Sequence, residues 1–384
     1  MGTSPVVLIL LGTRPEAIKL APVARALRKR GEPVKVRLVS TGQHDDLLDG
    51  ALASLDLVVD VDLGIMKPDQ DLYDVGIACL EELRKVFRAE KPDMVVVEGD
   101  TATVFFGALA AFFERTQVAH VEAGLRSHDK WAPFPEEMFR RLCDIVTDHY
   151  FAPTTGARRN LLAEGFSEGQ IHVTGNTVID AVRVIADAQR PVEDRELRAI
   201  LETEARLVLI TAHRRESFGA PIREAFGALK TLAESHPGDV FVYPVHPNPN
   251  VLEPAREILS GISNVKLLAP LSYSDLVRCL ARARLVMTDS GGIQEEAPSF
   301  GVPVMVLREV TERPEGIETG VATLVGTSRD RILEVGTRLL DDADAHAKMA
   351  RARNPYGDGR AGERIADILL NALLGTERET EDWD

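Results

Sequence analysis

The run Thr288-Asp289-Ser290-Gly291-Gly292-Ile293-Gln294-Glu295-Glu296 has the residue types and spacing of an anion-binding turn. Leu285 to Met287 is an apolar stretch of strand length, and Gln-Glu-Glu after the Ser-Gly-Gly turn opens a helix. Free backbone N–H groups and the positive end of a helix dipole converge at such a turn, and glycine lets a phosphate approach without meeting a β-carbon. A carboxylate one turn into the helix, Glu295 or Glu296, is then placed for the hydroxyls of a ribose. The pattern predicts a nucleotide site in the second half of the chain. An ordinary βα turn with acidic residues in its first helical turn has the same local signature, so the other polar motifs must decide between the two.

Near the N-terminus, Gly12-Thr13-Arg14-Pro15-Glu16-Ala17-Ile18-Lys19 follows the apolar run Val6 to Leu11, and Pro15 suits the first turn of a helix. Arg14 at the helix mouth and Lys19 a little over one turn later both suit a phosphate, one as a planar fork and the other as a point charge. No GxGxxG occurs here, which disfavours a nicotinamide cofactor.

Three carboxylates follow later strand-like runs. They are Asp100 in Glu98-Gly99-Asp100-Thr101, Glu122 in Glu122-Ala123-Gly124-Leu125-Arg126, and Glu136 in Pro133-Phe134-Pro135-Glu136-Glu137. Placed around one cleft, they can move protons. Each also has a structural reading: Asp100 as a helix N-cap, Glu122 as a partner of Arg126, Glu136 as a first-turn glutamate. His120 reads as structural. In the second half, His213-Arg214-Arg215 follows Leu207 to Thr211 and makes a positive patch in an acidic chain. His246 and Arg313 also follow strand-like runs. No HExxH spacing, GxSxG elbow or Cys/His nucleophile pattern is present, so no metal site is expected.

Positioning these groups requires alternating strands and helices. Strand-length apolar runs occur at Val6 to Leu11, Val34 to Val39, Met94 to Val97, Gln117 to Val121 and His149 to Phe151. Helical patterns intervene at Ala17 to Arg30, Leu72 to Ala89 and Thr103 to Glu114. The same alternation restarts at Leu207 to Thr211 and runs through Val240 to Tyr243, Val265 to Leu267, Leu285 to Thr288 and Val302 to Leu307. Alternation of this kind gives parallel sheets covered on both faces, here two doubly wound α/β domains. The boundary is expected near Gly175 to Glu204, where a helical stretch interrupted by Pro191 separates the two series. A last helix, Ala361 to Leu374, either closes the second domain or returns to the first.

A length of 384 residues accommodates two cores of ordinary size, and 45% hydrophobic with 27% charged residues is a globular composition. The formal charge of −15 argues against nucleic acid or an anionic membrane as a general partner. Cys79, Cys143 and Cys279 are far apart and form no CxxC pair, which disfavours disulfides and fits a reducing compartment. The N-terminal apolar run is too short for a leader or membrane anchor. The polar, acidic residues Thr376 to Asp384 read as a disordered tail.

The motifs around Arg14, Glu122, His213, Ser290 and Arg313, with Gly175-Asn176-Thr177 and Asn354-Pro355-Tyr356-Gly357-Asp358-Gly359, resemble the non-hydrolysing UDP-N-acetylglucosamine 2-epimerases. The similarity runs in order from about residue 6 to 372. It implies a GT-B-type architecture, with Rossmann-like domains over residues 1–175 and 176–354 and a cleft between them. The helical segment 355–375 would cross back to the first domain, leaving the tail at 376–384. It implies interconversion of UDP-N-acetylglucosamine and UDP-N-acetylmannosamine without metal or organic cofactor, in the cytoplasm, by a homodimer serving cell-envelope polysaccharide synthesis.

By motif position, Asp100, Glu122, Glu136 and His213 correspond to catalytic residues. Arg14, Lys19, Ser290, Gly291, Gly292, Glu296 and Arg313 correspond to substrate-binding residues, so the resemblance selects Glu296 over Glu295 for the ribose. Gln43, His44, Arg214 and His246 fit a second, activating UDP-sugar site. There Asp46 and Asp69 replace Gln and Arg of some members, and two acids facing an anionic effector weaken its binding. The segment Ser127 to Trp131 departs from the usual pattern, which bears on acyl-group specificity. The neighbouring readings are epimerisation of a related UDP-sugar, such as a diacetamido uronic acid, and a hydrolysing epimerase that releases N-acetylmannosamine and UDP.

Overall fold

Short apolar runs bounded by turn residues cannot bury both faces unless helices cover them, and the chain does this twice. The computed structural model describes residues 4–31, 33–42, 46–67 and 69–383, with backbone alone for Asp46, Leu47 and Asp49. It divides into two compact units: Met1–Ala181 with Tyr356–Asp384, and Val182–Pro355.

Among the described residues, the first unit has seven strands: β1 Val6–Leu11, β2 Lys35–Ser40, β3 Val61–Asp62, β4 Met94–Glu98, β5 Gln117–Val121, β6 His149–Ala152 and β7 Ile171–Val173. They lie in the order β3-β2-β1-β4-β5-β6-β7, all parallel. The second unit has β8 Arg206–Thr211, β9 Asp239–Pro244, β10 Val265–Leu268, β11 Ala283–Thr288, β12 Val304–Val306 and β13 Ala322–Leu324. Their order is β10-β9-β8-β11-β12-β13, again parallel. Counted from its own first strand, each sheet therefore begins 3-2-1-4, the doubly wound order. Residues Val7 to Leu11, Met94 to Val97 and Leu207 to Ile210 are buried, as expected for strands covered on both faces. Strands β3, β7 and β13 went unrecognised in the sequence. They are two or three residues long, sit at sheet edges, and carry no periodic signal.

The unit boundary falls inside the helix Thr177–Asp187, in the span Gly175 to Glu204 and a little after the 175/176 division that went with the resemblance. The start of that helix is tied to the returning chain: Asn176 N donates to Tyr356 O at 2.6 Å, and the Asp180 carboxylate accepts from Ala361 N and Gly362 N at 3.2 and 2.8 Å. Burial pushes the Asp180 carboxyl up to about 6, against the opposing pull of those N–H groups. The final helix, Ala361–Leu374, packs on the helix Arg14–Lys29 of the first unit. Its approach is close enough that a β-carbon on Gly362 would lie 2.8 Å from the backbone carbonyl of Pro22.

The tail expected to be disordered is instead docked through residue 383. Asp367 accepts from Glu379 N and Thr380 N at 2.8 and 2.7 Å, Arg364 donates to Glu381 O at 2.9 Å, and Trp383 N donates to Val173 O at 2.7 Å. Composition misleads here because the partners, Arg364 and Asp367, are polar residues buried on the final helix. No helix among the described residues is long and apolar enough to cross a membrane.

Replacing Gly362 with Val should force the two packed helices apart. Chemical denaturation should read a loss of about 1–3 kcal/mol, the usual cost of overpacking.

Candidate active site

In a doubly wound sheet, the loops after the first and fourth strands leave in opposite directions, and ligands bind at that point beyond the carboxyl ends. In the first unit those loops carry Gly12 to Lys19 after β1 and Gly99 to Thr101 after β4, with Glu122 after the adjoining β5. Gly12 is required by contact alone, since a β-carbon there would stand 2.1 Å from Oγ1 of Thr103. Glu16, buried at the helix start, accepts from Gly12 N at 2.5 Å and Thr13 N at 3.3 Å. Burial nevertheless raises its carboxyl above the usual range. It holds the turn that presents Arg14, whose side chain is exposed.

Lys19 points inward. Its Nζ lies 2.5 Å from Oε2 of Glu122 and 3.0 Å from Oε1 of Glu98. Glu122 also accepts from Nδ2 of Asn176 at 2.9 Å, and its backbone is left-handed with φ 65°. A non-glycine residue held in that region stores strain of about 1–3 kcal/mol, a recurrent property of functional positions. Asp100 is paired with Arg140, whose Nε lies 3.1 Å away. Arg140 in turn donates to the fully buried Glu137 at 3.0 Å, and Glu137 accepts from Ser127 N at 3.0 Å. Glu136 begins the helix Glu136–Ile145 and is partly exposed, with no hydrogen bond or ion pair to its side chain among the described residues.

The structural alternative for Glu122 fails: Arg126 pairs with Asp144 at 2.6 Å and Glu164 at 2.8 Å. His120 is structural, its Nδ1 2.7 Å from Asp144 and its Nε2 2.8 Å from Gly99 O. That second bond fixes the loop carrying Asp100.

In the second unit the equivalent strands are β8 and β11, leading to His213 and to Asp289-Ser290-Gly291-Gly292. Asp289, almost fully buried, accepts from His213 N and Arg214 N at 2.6 and 2.7 Å, and its Oδ1 lies 3.5 Å from His213 Nδ1. The two loops are thereby tied into one structure. The helix Gly291–Glu296 starts at the glycine pair, and neither glycine has a positive φ. A β-carbon at Gly291 or Gly292 would meet only Arg313 at 3.7 Å or Glu296 Oε1 at 3.8 Å, ordinary contact distances. Neither backbone freedom nor internal packing thus demands glycine at these positions.

Glu295 is occupied by an ion pair with Arg313, while Glu296 accepts from the Tyr273 hydroxyl at 3.2 Å. Thr311 donates to Gln294 at 2.6 Å and anchors the segment bearing Arg313. The ring of His246 stacks on His213 with centroids 5.5 Å apart. Burial lowers the His213 pKa, Asp289 opposes that shift, and His246 and Arg214 add to it.

Of the second-site residues, Gln43 and His44 lie outside the described residues, as does the side chain of Asp46. Sequence reasoning assigned no role to Glu16, Glu98, Glu137, Asn176 or Asp289. A short signal existed only for Asp289, an acid directly between a buried strand and a glycine turn.

Two Rossmann-like sheets with polar loops at both switch points define an α/β protein of GT-B-like fold. A sequence model of the UDP-N-acetylglucosamine 2-epimerases matches residues 25–370. A Yersinia pestis UDP-N-acetylglucosamine 2-epimerase is 46% identical over 372 residues, covering 95% of this chain and 98% of the relative. A Listeria monocytogenes protein assigned as a UDP-N-acetylglucosamine 2-epimerase superposes with a TM-score of 0.93 at 44% identity, covering 100% of both chains. A Neisseria meningitidis enzyme bound to UDP-N-acetylglucosamine gives 0.85 at 40% identity, covering 97% of this chain and 100% of that one. The chain belongs to the UDP-N-acetylglucosamine 2-epimerase family.

His213 should titrate below the ordinary imidazole value of 6.5, read from its ring-proton NMR shift against pH. The folded state resists protonation there, so its contribution to stability is present above 6.5 and is lost as pH falls through that value toward the folded one. Asp289→Asn should move the inflection lower still, because Asp289 favours the charged ring.

Proposed function

We propose that the protein interconverts UDP-N-acetylglucosamine and UDP-N-acetylmannosamine by elimination and re-addition of UDP, without net hydrolysis. The observation that carries this reading is the pair of carboxylates, Glu122 and Asp100, each held against a cation at the carboxyl edge of one sheet. A protein that only bound an anion would gain nothing from them.

The hydrogen on sugar C2 has no neighbouring carbonyl and is not acidic. Its removal must therefore accompany departure of the group at C1. A carboxylate takes the C2 proton, the C–H electron pair becomes the C1–C2 double bond of a glycal, and the C1–O bond pair leaves with UDP. An acid then returns a proton to the other face of C2, and the UDP oxygen re-adds at C1. Glu122, Asp100 and Glu136 supply the acid and base positions. Glu122 is the best arranged to remain ionised, with two donors on one carboxylate.

The leaving diphosphate needs fixed positive potential. Arg313 and the backbone of the Ser290-Gly291-Gly292 turn supply it in this reading, and Arg14 is a further substrate-binding cation at the helix mouth after β1. Lys19 adds positive charge beside the carboxylates. Neutral His213, oriented by Asp289, donates a hydrogen bond without competing as a second cation. Glu296, buried beside the glycine turn, is the carboxylate for the ribose, as Glu295 is committed to Arg313.

Incubation with UDP-N-acetylglucosamine in heavy water should place deuterium at C2 of both epimers, read by proton NMR. Glu122→Gln should slow that exchange by about a hundredfold or more, the usual share of a positioned acid–base group. Accumulating free N-acetylmannosamine and UDP would identify a hydrolysing enzyme instead. Unlabelled substrate with protein that binds it would overturn the assignment, and exchange with another UDP-sugar alone would identify the related epimerase.

A homodimer fits the same reading. Tyr73 and Ile77 on the helix Leu72–Glu90, with Phe112 and Phe113 at the end of the adjacent helix Ala102–Phe113, leave large apolar groups in water, Tyr73 at 80% and Phe113 at 63% exposure. Sedimentation velocity should give twice the chain mass, and Tyr73→Asp with Ile77→Asp should return a monomer. A monomeric wild type would refute it.

A further inference from the structure

Glu98, the last residue of β4, has no part in the reaction above, yet it lies within its charge assembly. The side chain is 2% exposed, and Oε1 stands 3.0 Å from Nζ of Lys19. The same ammonium donates a directed hydrogen bond of 2.5 Å to Glu122, which is 9% exposed and also receives Asn176. Toward Glu98 the ammonium stands 3.0 Å away in poorer hydrogen-bond geometry, and Oε1 has no other donor among the described residues.

The surroundings are acidic on balance. Glu16, on the helix that carries Lys19, adds a third buried carboxyl that acts on Glu98. His120 belongs to the other face of the sheet: the register sets Glu98 beside Val121 and Val97 beside His120, and both imidazole nitrogens are taken by Asp144 and Gly99 O. Burying two carboxylates against one ammonium costs desolvation for each and repulsion between them. A shared proton removes both costs. It settles on the carboxyl with less water and fewer donors, which is Glu98.

We propose that Glu98 is a positioning residue that stands in the site as a neutral carboxylic acid, leaving the charge of Lys19 to Glu122 and so keeping Glu122 ionised for proton transfer. Burial, reinforced by Glu122 and Glu16 and opposed by Lys19, raises the Glu98 carboxyl well above the usual range, in accord with the geometry. Ionising Glu98 at alkaline pH draws Lys19 from Glu122 and sets an upper pH limit on turnover. The catalytic consequence rests on the epimerase reading, whereas the protonation state does not.

Infrared difference spectra of wild type against Glu98→Gln test the proposal without turnover. A protonated-carboxyl band should be present in the wild type at neutral pH, disappear as pH rises, and be missing in the variant. Glu98→Met provides the same subtraction should the glutamine variant fold poorly. In the heavy-water exchange assay, Glu98→Gln, a mimic of the neutral acid, should keep kcat within about twofold of wild type at neutral pH and lose the alkaline limb of the profile. No band at neutral pH, or an acid limb moved downward in Glu98→Gln because an existing negative charge was removed, would overturn the proposal. A wild type with the band and no exchange would refute the epimerase reading and leave the Glu98 assignment intact.

Discussion

A parallel sheet that grows first to one side and then to the other must reverse once, and the two loops flanking the reversal diverge. In this protein the reversal falls between β1 and β4 in one unit and between β8 and β11 in the other. Most of the groups with chemistry to offer hang from those loops or from the strand next to them. The topology explains why they share an edge: parallel strands end together, so their following loops gather carboxylates and cations on one side of each sheet. Helix starts gather there as well, adding unpaired N–H groups and a positive potential.

Holding those loops still falls to buried carboxylates that do no chemistry. Glu16 closes the turn before the helix Arg14–Lys29 by accepting its backbone N–H groups, and Asp289 does the same for the His213 loop. Hydrogen bonds to an ionised acceptor contribute about 1.5–3 kcal/mol each, more than neutral ones, and fix direction as well. The Arg126–Asp144–His120 chain ends on Gly99 O and steadies the loop of Asp100. Glu16 and Asp289 are met by backbone N–H groups, whereas Glu122 and Asp100, the acids of the proposed reaction, are each met by a cation. Glu98 falls in neither group, since its one close cation, Lys19, is better aligned with Glu122.

Much of the fold was legible in the sequence because it rests on local signals. The strands β1 and β5 and the final helix Ala361–Leu374 have the bounds that apolar periodicity and turn residues indicate. The edge strands were not legible, being too short to show a period. Nor was the docking of residues 376–383, whose polar composition is that of an unfolded segment until Arg364 and Asp367 are seen to receive it.

The candidate site divides in the same way. Sequence alone determined residue types and their attachment: a glycine turn after a buried strand, a helix beginning at Arg14, and acids at strand ends. Those follow from propensity and from spacing along one stretch of chain. Only the tertiary structure decided which partners meet, because contacts such as Lys19 with Glu98 and Glu122, Asp289 with His213, or Arg313 with Glu295 join residues on different helices, strands and loops that the fold brings together. Burial decides the charge of such groups, and burial belongs to the packed whole, not to any segment of it.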